Sequence, residues 1–198
     1  MRSDIESASV YNRRQAVQKH LTFAAAWLLA LNTVPAGELT AVARLSAIVE
    51  TIHHARFDQA RAQLAQACPP APVEACRVLE AAAYWWQIQL DPNSRQLDDV
   101  LQTAAAGAIA ATEQWTRREP QRAEAWFYFA AAHAPLVQWR VLRGERLAAA
   151  RDARRIKDAL ERAVALDSSL HDAYFGIGLY RYYADVVPAA LKFLRWLL

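Results

Sequence analysis

The chain has 198 residues, 55% of them apolar and 22% charged, with a formal net charge of +3. That balance suits one globular domain or a short repeat array and excludes an intrinsically disordered chain. Forty-three alanines against five glycines favour helix, and Val, Ile and Thr never cluster in alternating runs, which leaves almost no room for an all-β fold.

Residues 21–34, LTFAAAWLLALNTV, carry no charge and lie between Lys19-His20 and Pro35. The stretch is shorter than the roughly 18 unbroken apolar residues of a membrane span. Arg13, Arg14 and Lys19 form a basic approach, and Val34 and Ala36 place small residues before a cleavage point after Ala36. This three-part pattern reads as a secretory signal peptide over residues 1–36. It predicts export, with the mature chain periplasmic or attached to the envelope. An uncleaved anchor over 21–34 and a buried helix of the mature fold also fit these residues, and Asp4 and Glu6 count against a signal. The Arg13–Arg14 pair resembles a twin-arginine signal, but Ala16 and Val17 stand where bulkier apolar residues usually sit. Residues 1–36 hold four basic residues against two acidic ones, so 37–198 carry only about +1.

Cys68 and Cys76 bracket the segment PPAPVEA. In an oxidising compartment such a pair is expected to bridge, with a stabilisation on the order of 2.5 kcal/mol for so short a loop. Two buried thiols are the alternative. A metal site is not expected, because the spacing is not C-x2-C and no matching Cys or His pair follows.

Beyond residue 40 the pattern predicts helices over Thr40–Ala55, Phe57–Ala67, Val73–Leu90, Arg95–Arg118, Gln121–Leu142 and Arg146–Leu166. A seventh starts near Leu170 and an eighth at Pro188. The breaks carry their own chemistry: Asp91-Pro92-Asn93-Ser94, Pro120, Gly144 and Asp167-Ser168-Ser169 each stop or cap a helix. The segment from Pro188 to Leu198 is strongly apolar. It ends about 20 residues before a repeat would close, which predicts an incomplete last repeat or a contact of 188–198 with a partner or a membrane.

Markers recur along this helical text. Ala60-x3-Leu64-x2-Ala67-x4-Pro72 and Ile156-x3-Leu160-x2-Ala163 match each other, as do Pro120-x5-Trp126-x2-Phe129-Ala130 and Tyr174-x2-Ile177-Gly178. Pro72, Pro120 and Ser168 stand 48 residues apart, and so do Val78, Trp126 and Tyr174. These segments resemble the closing and opening halves of tetratricopeptide repeats, although that family repeats every 34 residues or so. The resemblance implies an all-α, TPR-like α-solenoid of antiparallel helix pairs with elongated helices over 37–198. Small residues such as Ala82, Ala130 and Gly178 are expected where neighbouring helices approach closely.

In that family the first helix of each pair lines a concave groove. Carried onto this chain, the pattern points to Leu79, Ala83 and Trp86, to Glu124, Phe127 and Ala131, and to Asp172, Phe175, Leu179 and Tyr182. Such a groove is aromatic with an acidic edge. It lacks the Lys and Asn residues of the family's carboxylate clamp. Tyr180, Tyr182 and Tyr183 cannot all face one side of a helix, so at least one is expected at the surface.

Chemistry-bearing constellations are sparse. No nucleophile elbow, P-loop, dinucleotide fingerprint or H-E-x-x-H site occurs. His53 and His54 point about 100° apart on a helix and do not form a ligand pair. Asp98 and Asp99 read as first-turn acids that complement the helix dipole. Arg151, Arg154, Arg155 and Lys157 alternate with Asp152 and Asp158, which describes a solvated, ion-paired face rather than a nucleic-acid stripe. The expectation is therefore a non-catalytic protein without metal or cofactor, binding a peptide or partner protein. A periplasmic carrier of a small apolar ligand or lipid, and an accessory domain of a larger enzyme, are the alternatives.

Overall fold

A computed structural model describes residues 39–186, with side chains to Ala184. The expected leader 1–36, its apolar stretch 21–34 and the segment 188–198 lie outside the described residues. Those described form seven helices and no strand: α1 (Val42–His53), α2 (Phe57–Ala67), α3 (Val73–Ile88), α4 (Asp98–Arg118), α5 (Ala123–Leu142), α6 (Arg146–Leu166) and α7 (His171–Val186). The described fold is thus all-α, and none of its helices is long and apolar enough to cross a membrane.

The helix ends follow from local chemistry. Glu145 N–H donates to Arg140 O and Gly144 N–H to Val141 O, closing α5 with the paired bonds of a Schellman turn. Gly144 occupies the left-handed position of that turn at φ +81°. The end of α1 repeats the motif: Arg56 N–H donates to Thr51 O and Ala55 N–H to Ile52 O. Here an alanine holds the left-handed position, at φ +56°. Asp167 Oδ1 accepts from both Ser169 N–H and Ser169 Oγ, shaping the turn into α7.

Each helix packs against the next in the chain, and α1 also touches α3, as α3 touches α5. The core has three parts. Leu45, Ile48 and Ile52 of α1 meet Phe57 and Leu64 of α2 and Val78 of α3 in the first, which continues to Trp115 and Tyr128. Trp85, Ile88, Leu101 and Trp139 form the second, at the other end of α3–α5. Leu160, Leu170 and Ile177 with Ala130 and Ala163 form the third, between α5, α6 and α7. Helix α5 contributes to all three, which explains its apolar character on every side.

Small residues admit the close contacts, but not all where the repeat pattern expects them. A Cβ on Gly176 would collide with Leu160 Cδ1, so α7 approaches α6 at Gly176. Gly178 is exposed, and a Cβ there would meet nothing, which corrects its expected role. Ala130 is buried as expected.

Cys68 and Cys76 are at disulfide-bonding distance, with Cα atoms 6.6 Å apart, and tie the end of α2 to the first turn of α3. Two ion pairs, one half-exposed and one buried, reinforce the ends of α3–α5. Arg118 donates to the buried Glu74 at 2.7 Å. Arg143 grips Asp98 through Nε at 2.9 Å and Nη2 at 2.7 Å, and also donates to Pro92 O and Ser94 O. Burial alone would raise the Asp98 carboxyl, but the hydrogen bonds and charge of Arg143 hold it below its ordinary value. Asp98 is therefore more than a first-turn dipole partner: it anchors the α3–α4 connection to the end of α5.

Candidate functional site

An apolar cleft of about 410 Å³, formed by α5, α6 and α7, bears on the expected groove. Phe127 of α5, Ile156 and Leu160 of α6, and Phe175 and Leu179 of α7 line it. Asp172, on the first turn of α7, supplies a carboxylate at its edge with no hydrogen bond or ion pair to the other described residues. The family pattern brings Phe127, Asp172, Phe175, Leu179 and Ala131 to this one place.

The burial of these residues differs in a way that decides their roles. Phe127 is partly buried, packs against two of the core clusters and meets Tyr128 edge-on at 5.4 Å between centroids. Phe175 is 75% exposed, and Leu179 44%. Tyr182 and Tyr183 are both exposed and meet edge-on at 5.4 Å. Tyr183 lines the cleft and Tyr182 does not, so the expected surface tyrosine is found twice.

Besides Tyr182, four of the expected groove residues lie elsewhere. Trp86 is exposed on α3 and packs edge-on against His53, with 5.0 Å between ring centroids. Leu79 joins the first core cluster and Ala83 is fully buried. Glu124 is 6% exposed and both of its oxygens are engaged. It accepts from Thr40 N–H at 2.6 Å, Thr40 Oγ1 at 2.9 Å and the Arg122 guanidinium at 2.6 Å. Arg122 also donates to Glu119, which accepts from Trp115 Nε1 at 2.9 Å. Burial works against the Arg122 charge, yet Glu119 and Glu124 hold its pKa above the ordinary value. Glu124 therefore fastens the chain at Thr40 to the start of α5 rather than edging a groove.

The family rule also passes over residues that line the cleft. Ile156 and Leu160 belong to α6, which the rule treats as an outer helix. Their signal was the spacing Ala153, Ile156, Leu160, an apolar stripe at intervals of three and four on an otherwise charged helix.

A second, smaller cleft of about 270 Å³ opens between α4, α5 and α6. Ile109 and Leu136 form its apolar side; His133, Arg140, Arg151, Asp152 and Arg155 form its polar side. Asp152 is 3% exposed, ion-paired to Arg140 and bonded by Arg155 Nη1 at 3.1 Å. It belongs to the interior, which corrects its reading as part of a solvated face. The neighbouring pair Lys157–Glu161, at 3.0 Å, does lie on that face. Burial, then the charges of Arg155 and Arg140, push the His133 pKa down to about 4, so the ring is neutral at pH 7.

Among the described residues no cluster of three or more His, Cys, Asp or Glu side chains could hold a metal ion. No family model, curated protein or solved structure matches the chain.

Proposed function

We propose that this chain is a non-catalytic interaction module of the cell envelope that holds an apolar segment of a partner protein in the α5–α7 cleft. The observation that carries the reading is Phe175, three-quarters exposed beside an open apolar cleft and continued along α7 by Leu179, Tyr182 and Tyr183. Exposed aromatic side chains on a rigid helix are the usual anchors of protein interfaces, because they bury large areas at low entropic cost. The Asp172 carboxylate would orient a segment that carries a Lys or Arg beside its apolar residues. The Cys68–Cys76 pair and the signal-like leader support an exported protein. The contacts of α1 with α3 and of α3 with α5 support a TPR-like stacking of helix pairs over α1–α5.

A carrier of a small apolar ligand is the second reading, favoured by the concavity of the cleft. Its volume of about 410 Å³ falls within the range of small-molecule pockets. One experiment separates the two: a photoreactive residue placed at position 175 of the full chain and activated in intact cells. A discrete adduct with another protein, lost when Leu179→Asp is added, supports the interaction module. A lipid-sized adduct supports the carrier. A crosslink only to this chain's own residues 187–198 would refute both.

A further inference from the structure

The smaller cleft between α4, α5 and α6 is separate from the aromatic one and carries a different chemistry. Three guanidinium groups, Arg140, Arg151 and Arg155, surround one carboxylate, Asp152. With His133 neutral and Glu145 Oε2 3.7 Å from Arg140 Nε, the cleft keeps an excess of one positive charge, that of Arg151. Arg140 and Arg155 already satisfy Asp152, so Arg151 is not needed for that carboxylate. Arg151 is exposed and makes no hydrogen bond or ion pair with the other described residues.

The polar wall of this cleft also contains unmade hydrogen bonds. His133 is 2% exposed, and neither of its ring nitrogens has a hydrogen-bond partner; its Nδ1 lies 3.9 Å from Asp152 Oδ1, too far to bond. The buried Nε of Arg140 makes no hydrogen bond but is ion-paired to Glu145 Oε2 at 3.7 Å. Buried polar groups left unpaired are costly, and an anion that accepts from the His133 ring N–H would relieve that cost.

We propose that this cleft binds a small anion of the phosphate or phosphate-monoester class, held by Arg140, Arg151 and Arg155 above His133. Guanidinium groups match phosphate oxygens with paired, charge-assisted hydrogen bonds. A volume of about 270 Å³ admits a phosphate with a few further heavy atoms and is small for a nucleotide. Ile109 and Leu136 would cover a short carbon chain on the ester.

The test uses the full chain and three probes at constant ionic strength: inorganic phosphate, glycerol 3-phosphate, and phosphatidic acid vesicles against phosphatidylcholine vesicles. Binding is read by calorimetry or co-sedimentation, and by the His133 ring resonance in an NMR spectrum at pH 7.5. The expected result is saturable binding of one or more of the phosphate probes with a shift of the His133 ring signal. Arg151→Gln should weaken it about tenfold or more. Arg154→Gln, on the same helix but outside the cleft, should leave it unchanged. Preference for glycerol 3-phosphate or phosphate over vesicles identifies a free ligand, and vesicle binding with the same Arg151 dependence identifies a headgroup; both uphold the site. No saturable binding of any phosphate probe overturns the proposal. So does equal weakening by Arg151→Gln and Arg154→Gln, which would mean diffuse surface charge.

Discussion

Replacing Arg143 by Ala is the most direct test of how this helical stack is held together. The substitution removes two hydrogen bonds to Asp98 and the donors to Pro92 O and Ser94 O. It also leaves a carboxylate that is 7% exposed without its cation. Breaking a buried pair from one side costs about 3–5 kcal/mol, because the remaining charge stays desolvated. Asp98 lies beneath one surface connection rather than in the deep interior, so about 3 kcal/mol is expected. With a urea m-value of about 2 kcal/mol/M, the unfolding midpoint should fall by about 1.5 M. Lys157→Ala, which removes a more exposed pair, should cost no more than about 0.5 kcal/mol. The sign with pH follows from the lowered Asp98 pKa. Its contribution is complete above the ordinary value of 3.8 and is lost as pH falls below it. The advantage of the natural chain over Arg143→Ala should therefore shrink as the Asp98 carboxyl becomes protonated in acid. Urea denaturation followed by far-UV circular dichroism measures both effects. A cost below 1 kcal/mol at neutral pH would refute the reasoning, as would exact additivity of Arg143→Ala and Asp98→Asn.

Further outcomes follow from single sites. Falling pH should destabilise the fold between pH 6.5 and pH 4 by about 3 kcal/mol through His133, whose folded pKa is depressed to about 4. Asp152, Arg140, Arg151 and Arg155 face the same cleft, and His133→Gln should flatten the pH slope in that window. The two left-handed turn positions make a matched pair: Gly144→Ala should cost about 1 kcal/mol and Ala55→Gly should gain up to about that amount, both read from thermal unfolding. A Cβ on Gly144 would meet no neighbour within 4 Å, so backbone strain is the sole cause in that case. Phe175→Ser should abolish partner capture with little change in Tm, whereas Phe127→Ala should lower Tm, since Phe127 packs against two core clusters. Both thiols should resist alkylation in denatured, non-reduced protein, and reduction should cost about 2–3 kcal/mol.

The candidate site was legible only where exposure and spacing coincide. Phe175 and Leu179 could be found because the repeat pattern marks one helix face. Glu124 could not be separated from them, because its role depends on Thr40, 84 positions away in sequence. Asp152 misled for the same reason: acid and base alternate around it as on any solvated helix, and only the packing of α6 against α5 buries it.

The sequence by itself determined the helices and their ends. Ala richness, the apolar period, and the Pro, Gly and Asp-Ser breaks are local signals, and helix formation is settled within a few residues. It also placed two cysteines at the ends of one short loop. Tertiary structure decided which helix meets which, that Gly176 rather than Gly178 takes the close contact, and that charged residues at Asp98, Glu124 and Asp152 are interior anchors. It also separated an apolar cleft from a basic one on neighbouring parts of α5 and α6. Burial and charge pairing depend on residues far apart in the chain, and a local pattern carries no record of which of them will meet.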